Sequence, residues 1–255
     1  MRIAVLIVGS LRWDDRPVRT RWRDTRLDLD RAVPVRVPVH YRRCSWSRGN
    51  TYTMTIDPDA PSGTALMVPC RRPVGSPQDL IEEAQHLWAA EQPGVEHGAI
   101  GAEWGCCGML LRRHNREVAK LWSGVFRERV TDPVPPVNGS GILDIVWPEP
   151  VEGRGLDVDV AFAAVTRPVA ESPALEAIAG AWLAQSDSHE RYFFENVRHG
   201  IRTHEDLEIW SHIERGNPDW LDAPHYSEPI RVLRRETAAE SGDGRPVEEQ
   251  TRRDG

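Results

Sequence analysis

The chain has 255 residues, which is enough for one full hydrophobic core with an appendage, and 40% of its residues are hydrophobic. Its net charge is −7, and the twelve arginines of the first 50 residues are interleaved with five aspartates, so a nucleic-acid-binding surface is not expected. No apolar run approaches the length of a membrane span and no secretory leader pattern is visible, so we expect a cytoplasmic protein that does not contact a membrane.

A buried strand followed by a glycine turn is predicted at the start of the chain. Residues 3–8 are six consecutive apolar residues, most of them β-branched. Gly9 lets the backbone turn sharply or approach a ligand closely because it has no Cβ, and Ser10 adds a hydroxyl and a backbone N–H. Such a turn can hold a carboxylate or an amide oxygen. An ordinary turn after a first strand is the simpler alternative, and these residues by themselves favour it.

An antiparallel meander is predicted next. Residues 14–32 are polar and arginine-rich, and form either a short helix or a surface loop. Residues 33–39 alternate in hydropathy, but two prolines limit them to an edge strand or an extended connection. Further strands are predicted over residues 42–48, 51–56 and 64–68, and the short connections between them favour antiparallel pairing.

The pattern of residues 77–91 predicts an amphipathic helix. Ser76 is a suitable N-cap, Pro77 suits the first helical position, and Asp79 complements the helix dipole. Glu91 falls in the last turn, next to the apolar stripe that contains Leu87.

The second half of the chain is predicted to contain further strands and then helices. The strands are expected over residues 104–112, 118–126, 142–147 and 157–165, and the helices over residues 173–184, 189–197 and 203–213. Residues after 236 have nothing to bury and are expected to be disordered. We therefore expect a mixed α+β domain over residues 1–170, a helical extension over 171–235 and a tail over 236–255.

Three motifs, in order along the chain, carry a resemblance to a known family. They are Gly9-Ser-Leu-x-Trp13, Tyr41-Arg-Arg-Cys-Ser-Trp-Ser-Arg-Gly49 and Leu87-Trp-Ala-Ala-Glu91. Over roughly residues 3–130 they resemble the γ-glutamylcyclotransferase superfamily, and most closely its ChaC-type, glutathione-specific branch. Two positions depart from the family pattern: Val8 stands where the family has tyrosine, and Trp88 stands where it has aspartate.

The resemblance implies a mixed β-barrel with the 77–91 helix packed on it. It also implies that the backbone of Gly9, Ser10 and Leu11 binds a small γ-glutamyl substrate. A glutamate then acts as the base for cyclisation to 5-oxoproline, with release of an amine or peptide and without a metal or organic cofactor. Glu91 takes the base role and Glu103 is the reserve candidate. Arg48 could bind a substrate carboxylate, although an exposed turn arginine is the simpler interpretation.

A second function remains open at this stage. The fold could be kept while catalysis is lost, so that the protein binds a protein partner through the aromatic-rich residues 172–235. The alternative is that these aromatic residues pack onto the barrel. Histidines 199, 204 and 212 and the four cysteines do not follow the spacing of a known metal site, so no metal is expected.

Overall fold

The computed structural model describes residues 1–96, 98–113, 115–184 and 188–240, and shows a mixed α+β fold. Its described strands are β1 (Ile3–Ile7), β2 (Val33–Ser45), β3 (Thr51–Ile56), β4 (Ser62–Pro69), β5 (Gly101–Ala102), β6 (Gly105–Leu111) and β7 (Val160–Thr166). Its described helices are α1 (Pro17–Arg26), α2 (Pro77–Glu91), α3 (Arg116–Arg129), α4 (Leu175–Leu183), α5 (Arg191–Arg198), α6 (Asp206–Gly216) and α7 (Ser227–Glu240).

The strands form one open sheet rather than a closed barrel. Their order is β3-β2-β4-β1-β7-β6-β5, so β3 and the two-residue β5 stand at its ends. The pair of β1 with β7 is parallel, whereas the other pairs between these strands are antiparallel. The expected barrel is therefore wrong.

The long strand β2 folds one end of this sheet back over the rest. Its first half pairs with β4 and its second half with β3, and the register shifts between Tyr41 and Arg43. An irregularity of this kind bends a strand. The bend brings β3 to β7, where the Thr55 hydroxyl donates a hydrogen bond to the Thr166 carbonyl (2.7 Å). A concave space is left between the folded end and the centre of the sheet.

Residues 118–126 were expected to form a strand, but they belong to helix α3. Trp122 and Phe126 are four residues apart and both are fully buried, which is the spacing of one helical face. The Asn115 side chain caps the helix by accepting a hydrogen bond from the backbone N–H of Val118 (3.2 Å). The expected strand over residues 142–147 is also absent. Two residues there, at 142 and 143, form isolated bridges.

The C-terminal extension contains one helix more than expected, and it packs through its aromatic side chains. Trp182, Phe193, Phe194 and Trp210 are fully buried. Helix α7, which was not predicted, continues to Glu240 and so passes the boundary expected at residue 235. The rest of the expected tail, 241–255, lies outside the described residues. Within the described part of the chain, no helix has the length and apolar character needed to cross a bilayer.

Helix α2 begins at a reciprocal cap. The Ser76 hydroxyl accepts a hydrogen bond from the Asp79 backbone N–H (3.2 Å), and the Asp79 carboxylate accepts one from the Ser76 backbone N–H (2.8 Å). We expect Ser76→Ala to lower the free energy of unfolding by about 1 kcal/mol, as measured by urea denaturation, because the Asp79 backbone N–H loses its side-chain partner. Ser76→Asn, which retains a capping oxygen, should keep most of the stability; an equal loss in both variants would contradict this role of the cap.

Candidate functional site

A cleft opens at the edge of the sheet where β1 and β7 both end. The two strands run parallel, with Leu6 opposite Ala163, so their carboxyl ends lie side by side. Such edges are where ligands commonly bind in sheets with parallel strands. The cleft has a volume of about 660 Å³, and its other walls come from α2, from the β2–β3 hairpin and from α5. Five of the six residues selected from the sequence line it: Ser10, Leu11, Arg48, Glu91 and Glu103.

The sixth residue, Gly9, gives the turn its shape. Its φ of 82° and ψ of −141° lie in a region that is open essentially to glycine. A Cβ on Gly9 would also collide with the hydroxyl of Tyr192 from α5. That hydroxyl accepts a hydrogen bond from the Met54 backbone N–H (3.0 Å). The turn is thus held against both the hairpin and the C-terminal extension.

Arg19 of α1 joins the turn to the end of α2. Its side chain is only 3% exposed. One terminal nitrogen donates to the Ser10 hydroxyl (2.8 Å) and to the Asp14 carboxylate (3.1 Å), and Nε donates to the Ala90 carbonyl (2.9 Å). The other terminal nitrogen donates to the carboxylate of Glu91 (3.1 Å) and to its carbonyl (3.2 Å). A single buried guanidinium therefore fixes the distance between the glycine turn and Glu91.

Glu91 is the last residue of α2, and its carboxylate faces the cleft. Leu87 and Trp88, one turn earlier, are fully buried, which sets the rotation of this helix against the sheet. The Glu91 side chain is 12% exposed, and its second oxygen lies 3.9 Å from Arg43. Arg43 in turn lies over the ring of Trp104, 4.5 Å from its centroid. Glu91 is thus a carboxylate partly removed from water, between two arginines.

The cluster around Arg19 carries more positive than negative charge. Asp14 is shared by Arg16 (3.0 Å), Arg19 and Arg48 (3.6 Å). With the Arg43–Glu91 pair, four guanidinium groups meet two carboxylates. Burial lowers the pKa of Arg19 and that of Arg43. An anionic group entering the cleft would find this excess of positive charge.

The two other residues selected from the sequence lie at the edge of the cleft. Arg48 is on the short turn between β2 and β3, over the rings of Tyr192 (5.3 Å) and Trp13 (5.9 Å). Glu103 is exposed, and its carbonyl accepts a hydrogen bond from Arg167 (3.0 Å). Glu91 is thus the more sheltered of the two candidate bases.

Sequence reasoning missed Arg19, Arg43, Asp14 and Tyr192. The spacing of Arg19, Trp22 and Arg23 is that of one helical face, and their burial follows from it. That spacing is a usable signal within residues 14–32, whose composition by itself allows either a helix or a loop. No local signal pointed to Tyr192, because only the packing of α5 brings it to the turn.

Most of the large aromatic side chains of the extension are buried. Tyr192 lines the cleft, and Trp182, Phe193, Phe194 and Trp210 are part of the core. The indole N–H of Trp13 donates to the side chain of Asn196 in α5 (2.7 Å), which ties the extension to the glycine turn. In the described ranges, no group of three or more His, Cys, Asp and Glu side chains is placed to hold a metal ion.

No protein-family model matches the chain, and no curated protein gives a significant match. Its function must therefore be inferred from the geometry of the cleft.

We expect Gly9→Ala to lower the free energy of unfolding by about 1–3 kcal/mol, because alanine disfavours this backbone conformation and its methyl group would displace Tyr192. Thermal or urea unfolding measures the change. Gly124→Ala is the matched control: it lies inside α3, where a Cβ meets open space, and should raise stability by about 0.5–1 kcal/mol. If Gly9→Ala left the free energy of unfolding unchanged, the turn would have to adopt a conformation other than the one described.

The pH dependence of stability tests the arginine cluster. Burial raises the pKa of Asp14, but hydrogen bonds from Arg16 and the charge of Arg19 outweigh it, so that pKa lies below its ordinary value. A carboxylate of this kind stabilises the fold above its unfolded-state pKa, and the stabilisation is lost as pH falls through the folded-state pKa. The difference in free energy of unfolding between the wild type and Asp14→Asn should thus be largest above about pH 5 and should decrease towards about pH 2.

Chemical denaturation at a series of pH values measures this difference. Asp15→Asn is the control, because Asp15 is exposed and its pair with Arg191 (3.4 Å) is on the surface. A difference for Asp14→Asn that does not change with pH would contradict the shift.

Proposed function

We propose that the protein is a γ-glutamyl cyclotransferase-type enzyme, which cyclises the γ-glutamyl unit of an amide or peptide to 5-oxoproline. The observation that carries this proposal is that a sheltered carboxylate, Glu91, shares one cleft with the Gly9–Leu11 turn and is tied to it by the buried Arg19. The chain resembles the family in both of these segments. Four free thiols fit a reducing, cytoplasmic compartment.

The reaction needs one intramolecular attack and the transfer of two protons from the attacking nitrogen to the leaving nitrogen. Glu91 takes a proton from the α-ammonium group of the glutamyl unit, and the freed amine attacks the γ-carbonyl carbon. A C–N bond closes the five-membered ring while the C–N bond of the scissile amide breaks. The ring nitrogen gives up its second proton as this bond breaks, and the leaving nitrogen takes up two protons, one of them from Glu91, so that 5-oxoproline and a protonated amine are released. Because both reacting groups belong to one molecule, holding them in a folded conformation supplies much of the acceleration.

The surrounding residues suit these steps. In the proposed complex, the backbone N–H groups of Ser10 and Leu11 donate hydrogen bonds to the carbonyl oxygen that becomes negative during the attack. The excess of positive charge near Arg43 and Arg48 attracts the α-carboxylate of the substrate. The cost of sheltering Glu91 is offset by Arg19, which also sets the direction in which the carboxylate points.

The partner-binding alternative is less well supported. It required an exposed aromatic surface on the extension, whereas Trp182, Phe193 and Phe194 are fully buried.

Glu91→Gln should reduce the release of 5-oxoproline from a panel of γ-glutamyl compounds, glutathione included, by about 100-fold or more, because the amide cannot accept the proton. Product formation is followed chromatographically, and circular dichroism checks the fold. Glu82→Gln, an exposed position on the same helix, is the matched control.

Three outcomes separate the possibilities. Loss in Glu91→Gln with activity in Glu82→Gln supports Glu91 as the base. Loss in Glu103→Gln together with activity in Glu91→Gln moves the base to Glu103. No product from the folded wild type with any compound contradicts the proposed function.

A further inference from the structure

Trp46 is exposed at the mouth of the cleft. It opens the short turn Trp46–Arg48 between β2 and β3, and Gly49 and Asn50 complete that turn in the left-handed region. Trp46 lines the cleft, yet 87% of its surface is open to solvent. Four other tryptophans, at positions 88, 122, 182 and 210, are fully buried.

An exposed indole beside a cavity has a physical cost. Its large apolar surface remains in water, where burial would be favourable. The turn holds this side chain at the rim of the cleft that contains Glu91. Packing against the described residues does not explain this position, because most of the Trp46 surface is in solvent. A ligand seated in the cleft would cover the indole and recover that free energy.

The size of the cleft indicates a second part of the ligand. Its volume of about 660 Å³ lies inside the range of roughly 300–1,000 Å³ that drug-sized ligands occupy. A γ-glutamyl unit held between the glycine turn and Glu91 would leave much of this space unfilled. Pro93 and Pro168 add apolar surface to the same walls.

We infer that the amine released from the γ-glutamyl substrate carries an aromatic ring, and that this ring packs on Trp46. The inference rests on the proposed function and names its substrate class: γ-glutamyl derivatives of aromatic amino acids or aromatic amines. The γ-glutamyl unit faces Glu91, and the leaving group faces the rim.

The test compares two substrates of equal charge that differ in the ring. These are γ-glutamylphenylalanine and γ-glutamylalanine, and the readout is the ratio of their kcat/KM values. The ratio in the wild type should favour the aromatic compound by roughly 2- to 13-fold, the range that corresponds to one aromatic contact. Trp46→Ala should bring this ratio close to one, and Trp46→Phe should preserve part of it. Because Trp46 is exposed, its replacement does not threaten the fold.

Val146→Ala is the matched control. Val146 is equally exposed, at 87%, but is outside the cleft, so its removal should leave the ratio as in the wild type. A wild-type ratio of one, or a ratio that Trp46→Ala does not alter, would overturn the inference while leaving the proposed function in place.

A binding measurement separates the two proposals. Calorimetric titration of both compounds into Glu91→Gln reports affinity without turnover. The inference is supported if the aromatic compound binds more tightly to Glu91→Gln and this preference is lost in the Trp46→Ala, Glu91→Gln double variant. This holds even if the wild type forms no 5-oxoproline, because the absence of product contradicts only the proposed function. Equal binding of both compounds, or binding of neither, overturns the inference.

Discussion

The site depends on one buried ion-pair network, centred on Arg19. Taking a guanidinium out of water is costly, and two carboxylates and two backbone carbonyls offset that cost here. The partners come from the turn after β1 and from the end of α2, more than 70 positions further along the chain. Because a buried charge left without its partner costs about 3–5 kcal/mol, the network holds these two segments in one arrangement. The position of Glu91 is thus a property of the packed core and not of a flexible surface side chain.

The division into a core domain and an extension does not correspond to the organisation of the cleft. Tyr192, from the extension, shapes the space beside Gly9 and receives a hydrogen bond from β3. The Trp13 indole binds Asn196 in the same helix. The C-terminal helices therefore take part in building the cleft. Some of their aromatic residues also contact the sheet, since Trp182 packs on Tyr41 of β2 at 5.3 Å between ring centroids.

Local sequence signals predicted the strands and helices that form the walls of the cleft, but not the contacts that join these walls. The first strand and the capped helix up to Glu91 followed from a short apolar run, a Ser-Pro start and helical spacing, which act over neighbouring residues. The α3 segment was mistaken for a strand because its β-branched and aromatic residues suit both structures, and only the joint burial of Trp122 and Phe126 decides between them. The open sheet and the arginine cluster depend on contacts between distant segments, which no local pattern encodes.

At positions 8 and 88 the chain departs from the pattern of the family that its sequence resembles, and both residues have physical consequences in this fold. Trp88, in the place of an aspartate, is fully buried and packs against Trp104 at 5.1 Å between ring centroids. Trp104 in turn supports the guanidinium of Arg43, which reaches towards Glu91. A carboxylate at position 88 would be buried among apolar side chains. The tryptophan at this position instead supports Trp104, on which the guanidinium of Arg43 lies. On the other side of the cleft, Val8 has no hydroxyl, and the hydroxyl beside the glycine turn is that of Tyr192. With valine at position 8 and tryptophan at position 88, Glu91 is the sheltered carboxylate next to the turn, which is the arrangement that the proposed cyclisation needs.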